Sequence, residues 1–229
     1  HFVNCTGLDD GPDADTHLTT AYDIALMSCA LLKHEEIKEY TTIWMDTVRG
    51  GEFGLSNTNK LVRFYDGTTG LKTGYTSSAG YCLSASAERG GMELIAVVMH
   101  CKTSADRFES AKALLNYGFA NYAIVDPMEN LTLEPVPVVL GKHDFVEAEA
   151  SGAGTILLDK ALAGSVTCTA ELEENVKAPV LKGQRLGTLR IEAGGRVLRE
   201  IELAAAQEVQ ALGLLDIWAQ MLETVCMAG

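Results

Sequence analysis

Between residues 92 and 100 the chain reads MELIAVVMH, an almost unbroken apolar run. Just before it, GYCLSASAE alternates small and larger side chains, and RGG separates the two. Residues 71 to 101 therefore predict two strands joined by a tight turn, the second of them buried as a central strand is. Upstream, TTAYDIALMSCALLKH places Ile24, Met27 and Leu31 on one helical face, and Thr20 with Asp23 three residues on predicts a capping box. Downstream, SADRFESAKALLNYGFANY repeats Phe108, Ala111, Leu115, Phe119 and Tyr122 at three- and four-residue steps, with Ser104 as N-cap. Strand, strand, helix implies a sheet with a helix laid on its face, so this part is α+β or α/β. The stretch RGGEFGLSNTNKLVRFYDG before it reads as turn-rich and polar, with a short apolar run at Leu61 and Val62, and residues 1 to 18 read as a loop-rich lead-in.

The pattern changes after Asp126-Pro127. Short β-like runs separated by Gly, Pro and Asn fill residues 130 to 206, and GTLRIEAGGRVLREIELA predicts a hairpin turning at Gly194-Gly195. The tail returns to helical period: Ala211, Leu214, Leu215, Trp218, Met221, Leu222 and Val225 share one face, away from Asp216, Gln220 and Glu223. The expected organisation is an α/β domain over 1–126, a small all-β domain over 127–206, and an amphipathic helix over 207–229.

Composition narrows the function. At 229 residues with 47% hydrophobic content, the chain can bury one large core or two modest ones. A net charge of −13 with no basic run excludes nucleic acid, whose phosphates require clustered Lys and Arg. Six cysteines (5, 29, 82, 101, 168 and 226) show no C-x-x-C and no Cys/His spacing for zinc, and the five histidines are scattered. Neither a metal nor another cofactor is expected. No run of about 18 apolar residues could span a bilayer. The first residue is His1 rather than Met, so the chain is expected to begin inside a longer product or after processing.

Candidate chemistry centres on GLKTGYT at 70–76. A Lys-Thr-Gly triplet alone is a weak signal, since a strand lysine often just covers apolar surface with its stem. Here the triplet opens a strand, a buried strand and a helix follow, and those are the surroundings of such a triplet beside the cleft of serine acyl-transferring enzymes. Lys72 would bring positive charge to a nucleophile, and Thr73 a hydroxyl for a substrate carboxylate. Gly74 would leave room for a substrate backbone lying alongside as an added strand. The Tyr75 N–H could point into an oxyanion hole.

The segment GLKTGYTSSAGYCLSASAERGGMELIAVVMHCKTSADRFESAKALLNYGF resembles the D-alanyl-D-alanine carboxypeptidases among the low-molecular-mass penicillin-binding proteins. HFVNCTGLDDGPDADTHLTTAYDIALMS is similar to the family's Phe-x-Asn, Gly-Leu and His-x-(Ser/Thr)-Thr-Ala-x-Asp stretch, and SNTNKLV to its polar loop. The β-rich part after Pro127 falls where the family has a C-terminal β-sandwich domain. The resemblance implies a partial α/β transpeptidase-like fold followed by that sandwich, and a substrate-binding set of Lys72, Thr73, Gly74, Tyr75 and Arg107. Arg107 would add positive potential for the substrate's terminal carboxylate; a helix-end ion pair is an equally good reading. Tyr75 departs from variants with His at this position, so a backbone role carries over and a side-chain role does not. His17, Asn57 and Asn59 match family positions or could line the cleft, but read more simply as loop-stabilising residues.

The family's Ser-x-x-Lys and Ser-x-Asn are absent: Ser56 has its lysine four residues on and Ser110 two, and no Ser-x-Asn occurs. The resemblance therefore places the nucleophile and base upstream of His1, with no catalytic residue in this chain and no hydrolysis by these residues alone. It implies peptidoglycan pentapeptide and β-lactams as partners and an extracytoplasmic location at the cell wall or the outer face of the cytoplasmic membrane. Membrane-surface contact through the final helix is a further expectation, although that helix lacks the Lys and Arg that anionic lipid favours. A partial sheet would expose edges, so pairing with the missing N-terminal segment or self-association is expected. The competing readings are a serine β-lactamase relative, disfavoured by the long β domain, and a non-catalytic cell-wall scaffold.

Overall fold

Thr20 starts the first helix by accepting the Asp23 N–H at 3.1 Å, while its own hydroxyl donates to the Asp23 carboxylate at 2.8 Å. The computed structural model describes residues 1–9, 11, 16–129, 131–152 and 154–227, the side chains at 220 and 223–227 excepted. Residues 1–123 and 124–229 form two compact units.

In the first unit, α1 (Ala21–Leu32) and α2 (Glu36–Thr41) precede a hairpin of β1 (Met45–Val48) and β2 (Phe53–Ser56). A short turn of helix, α3 (Leu61–Phe64), leads into the antiparallel sheet β3 (Thr68–Thr76), β4 (Gly80–Arg89) and β5 (Met92–Cys101), and α4 (Ser104–Asn121) follows. The structure holds three strands where the pattern suggested two. Residues 77–79 form a turn closed by Gly80 at φ 67°, which detaches the Lys-Thr-Gly strand from GYCLSASAE. Gly90 and Gly91, at φ 56° and 75°, make the next turn, a backbone conformation that side chains with a Cβ disfavour.

Strand alternation sorts the sheet into two faces. Thr73 pairs with Leu83 and Leu83 with Val98; Leu71 pairs with Ala85 and Ala85 with Ala96. This face meets α4, burying Phe108, Ala111 and Leu115 against Leu83, Ala85, Ala87, Ala96 and Val98. Each large side chain so buried contributes roughly 1.5–3 kcal/mol. Thr103 caps α4, not Ser104, because its hydroxyl takes the Asp106 N–H while the Asp106 carboxylate takes the Thr103 N–H, a complete capping box.

The opposite face carries Lys72, Ser84 and Val97 in register. There α1 approaches through Ser28, whose hydroxyl lies 2.8 Å from that of Ser84. The helix is rotated relative to the expected face: Ser28 and Leu32 are buried and Ile24 is half-buried, but Met27 and Leu31 are exposed with Tyr22 and Leu26. Small Ser28 lets the helix come close, and the bulkier apolar stripe beside it stays uncovered. Strand β5, expected to be central, is terminal among the described strands; β4 is the middle one.

The chain passes to the second unit within β6 (Tyr122–Val125). That unit contains β7 (Val136–Val139), β8 (Phe145–Val146), β9 (Ala148–Ala150), β10 (Ile156–Asp159), α5 (Lys160–Ala163), β11 (Thr167–Leu172), β12 (Val176–Lys177), β13 (Arg185–Ala193) and β14 (Arg196–Ala205). The expected hairpin is present: β13 and β14 pair around Gly194 and Gly195 at φ 58° and 75°. They form the middle of a four-stranded sheet in the order β11-β13-β14-β9, and β12-β7-β8 make a second sheet. Leu189, Ile191, Ile201 and Leu203 fill one core; Val136, Val146, Val180, Leu186 and Val209 fill another. The tail is helical from Leu214 and not from 207, as α6 (Leu214–Met227): Ala211, expected on its apolar face, instead bridges to Gly141, and Leu214, Leu215, Trp218, Met221 and Leu222 are exposed. Val225, Gln220 and Glu223 lie outside the described side chains. No described helix is long and apolar enough to cross a membrane.

Candidate active site

Strand β3 has a neighbour on one side only among the described strands, so one row of its backbone groups faces an open edge. A cleft of about 280 Å³ lies over the sheet face that carries Lys72 and reaches this strand: Lys72, Thr73, Gly74 and Tyr75 line it together with Ser84 of β4, Val97 of β5, and Thr19 and Ile24 at the start of α1. Lys72 is exposed, and its Nζ donates to the Thr73 carbonyl at 2.6 Å. Lys72 thus lines the cleft, with its amine held at the Thr73 carbonyl.

Thr73 is only 8% exposed, and its hydroxyl lies 2.7 Å from that of Thr58. Sequence reasoning missed Thr58, which sits between two asparagines and carries no motif of its own. Asn57 and Asn59 behave as turn-stabilising residues. Asn57 accepts the Asn59 N–H at 2.9 Å and donates to the Ile43 carbonyl at 2.9 Å. Asn59 is fully buried, donates to the Gly70 carbonyl at 3.1 Å and accepts the Leu61 N–H at 3.2 Å. Together they fix the loop that carries Thr58 to the first residues of β3. His17 accepts the Val3 N–H at 3.1 Å and meets Phe2 edge to face, so it ties down the lead-in.

Gly74 opposes Cys82, and a Cβ there would stand 3.8 Å from the Cys82 Cβ. A side chain would thus fit at the strand itself, and the glycine's effect is to keep the cleft floor low. The Tyr75 ring is 59% exposed and leans on Tyr81 at 4.4 Å between centroids. Arg107 lies elsewhere than a surface ion pair would put it. It is buried, donating from Nη1 to the Gly74 carbonyl at 3.1 Å and to the Cys82 carbonyl at 3.4 Å, and from Nη2 to Ser104 Oγ at 3.3 Å. Burial pulls its guanidinium below the ordinary arginine value, with Tyr81, Cys82 and Cys101 pulling the other way. Among the described residues no group of His, Cys, Asp and Glu could hold a metal.

A Lys-Thr-Gly edge strand bordering a cleft, backed by two antiparallel strands and a helix, defines a mixed α/β half-site to which a β-sheet unit is appended. Two family patterns match this chain: D-alanyl-D-alanine carboxypeptidase over residues 1–103, and the C-terminal domain of penicillin-binding protein 5 over residues 128–211. The D-alanyl-D-alanine carboxypeptidase DacF of Bacillus subtilis is 38% identical over 220 residues, which is 93% of this chain and 55% of that protein. DacC of Escherichia coli, also a D-alanyl-D-alanine carboxypeptidase, is 32% identical over 215 residues, 91% of this chain and 53% of that protein. The crystal structure of penicillin-binding protein 5 from Haemophilus influenzae superposes with a TM-score of 0.66 at 29% identity, covering 89% of this chain and 59% of that one. The chain belongs to the low-molecular-mass penicillin-binding proteins of the D-alanyl-D-alanine carboxypeptidase family. It spans about half the length of the curated relatives it matches.

Proposed function

We propose that this chain forms one wall of the active cleft of an extracytoplasmic serine-type D-Ala-D-Ala carboxypeptidase, the nucleophile and its base lying outside these 229 residues. The observation that carries the reading is Lys72 lining the cleft, with its amine 2.6 Å from the Thr73 carbonyl. In the complete protein a serine Oγ attacks the carbonyl between two D-alanines of a peptidoglycan stem peptide. The bond to the terminal D-alanine breaks, that residue leaves with a proton, and water hydrolyses the acyl-enzyme. A β-lactam enters the same path and leaves the acyl group on the serine.

Each wall residue has a role. Lys72 lowers the energy of negative charge at the nucleophile. Thr73, whose hydroxyl is shared with Thr58, offers a second hydrogen bond to the substrate's terminal carboxylate. Gly74 lets the peptide lie along β3, which presents unpaired edge groups to an added strand. The Tyr75 N–H stabilises the oxyanion, and Arg107 adds positive potential behind the strand. Residues 1–126 are the C-terminal part of the catalytic domain, 127–206 its β-sandwich companion, and the segment 207–229 carries α6, whose exposed leucines and Trp218 support contact with a membrane surface. The uncovered stripe of α1 and the outer edge of β5 suit the segment that brings the serine.

The test is D-alanine release from a pentapeptide ending in D-Ala-D-Ala. The full-length protein is expected to release it, and residues 1–229 alone are not. A folded full-length protein that releases none overturns the reading.

A further inference from the structure

The Gly74 carbonyl that Arg107 holds belongs to the same peptide unit as the Tyr75 N–H. That peptide is trans and planar, so its carbonyl and its N–H point to opposite sides of the strand. The carbonyl is drawn inward, to the guanidinium between α4 and β4. The N–H of Tyr75 then faces the open edge, the side on which Lys72 reaches the Thr73 carbonyl. Arg107 is 7% exposed, and no carboxylate pairs with it among the described residues. Its Nε is buried without a partner, and its neighbours are the rings of Tyr81 at 5.3 Å and Phe108 at 4.9 Å. A buried cation with no counter-ion is costly. Its field falls on the carbonyls it touches.

We propose that Arg107 is a positioning residue for the oxyanion hole: it fixes the plane of the Gly74–Tyr75 peptide and polarises it, making the Tyr75 N–H a stronger donor to the developing oxyanion. The proposal rests on the carboxypeptidase reading above. A hydrogen bond to one end of a peptide strengthens the bond made by the other end, by about 10–30%. The cation behind the strand and the anion in front of it are then coupled through a single amide, and Arg107 need not touch the substrate.

The experiment uses the full-length protein with Arg107→Gln and Arg107→Lys. Two quantities are measured: the saturating rate and the apparent binding constant for acylation by a fluorescent penicillin, and the Tyr75 amide proton shift in protein labelled with ¹⁵N-tyrosine. Arg107→Gln is expected to slow acylation roughly tenfold, less than the 10²–10³ for deleting an oxyanion-hole donor outright. The binding constant should stay within about twofold, since the ground-state contacts are unchanged. The Tyr75 amide proton should move upfield, and Arg107→Lys should restore part of both effects. If Arg107→Gln does not fold, Arg107→Lys carries the test, with a smaller loss of rate and a smaller shift in the same direction. Unchanged rate and unchanged amide shift overturn the proposal. So does a variant that weakens binding without slowing acylation, which would mark a direct hold on the substrate carboxylate. Should the wild type not be acylated at all, the carboxypeptidase reading fails, and the amide shift alone decides whether Arg107 polarises this peptide.

Discussion

The hydroxyls of Thr58 and Thr73 lie 2.7 Å apart, joining the polar loop before the sheet to the strand that borders the cleft. Thr73 is buried, so its rotamer is set by this partner and not by water. Thr58→Val keeps the shape and removes the bond. The expected result is a loss of about 1 kcal/mol in urea unfolding, the usual worth of one such bond. In the full-length protein, penicillin acylation should slow by roughly three- to tenfold, because a Thr73 hydroxyl free to rotate no longer holds its aim. Thr58→Ser should behave as wild type in both measurements.

Lys38 of α2 lies within 3.2 Å of Glu35 and Glu88 and 3.3 Å of Glu93, clamping the helix to the β4–β5 hairpin. Burial works against its charge, but hydrogen bonds to the three carboxylates outweigh it and raise its pKa above the ordinary lysine value. A lysine raised in this way contributes stability that is complete below its unfolded pKa of about 10.4 and is lost as pH climbs through the folded value. Lys38→Met is therefore expected to cost about 1–2 kcal/mol at neutral pH, the partners being partly exposed and screened. The difference between variant and wild type should shrink in strongly alkaline solution, as denaturant titrations across that range will show.

In the second unit, a Cβ at Gly187 would run into the Glu171 carbonyl oxygen and stand 2.9 Å from the Leu172 Cα. Both obstacles are backbone of the neighbouring strand, so β11 itself would have to shift. Gly187→Ala is expected to destabilise this unit by about 1–3 kcal/mol. Gly118→Ala on α4 is the contrasting case. Its new methyl meets the far end of the Leu94 side chain, which can turn away. It should cost less than Gly187→Ala in the same thermal melts.

Thiol reactivity should follow burial. Cys5 and Cys29 are exposed, while burial raises the Cys101 thiol, with Cys82 and Asp106 adding to the rise and Arg107 opposing it. Burial likewise raises Cys168. Mass spectrometry after brief alkylation at pH 8 should find Cys5 and Cys29 labelled first and Cys101 and Cys168 last. Early labelling of Cys101 would mean that the strand end beneath Arg107 opens readily.

Much of this architecture could be read from side-chain spacing. Phe108, Ala111 and Leu115 recur with helical period because one face of α4 meets the sheet, and two glycines between alternating runs announce the turn from β13 to β14. The Lys72 cleft was legible because its triplet sat in front of a buried strand. Other features left no such trace. Residues Met45–Val48 and Phe53–Ser56 are exposed along their whole length, so the hairpin they form lacks the alternation that burial on one side imposes. The orientation of α1 depends on a serine pair, Ser28 with Ser84, which no hydrophobic count detects. Thr58 and the inward turn of Arg107 are tertiary facts: each depends on a partner distant in sequence, Thr73 or the Gly74 carbonyl.

The most direct measurement compares labelling of the full-length protein by fluorescent penicillin with that of its Lys72→Ala variant, both shown to be folded by circular dichroism. With Lys72 as the charge beside the nucleophile, the wild type is labelled, and the variant is labelled at least about a hundredfold more slowly, on the scale of losing a preorganised charge in a cleft. Equal labelling rates for the two would contradict the account.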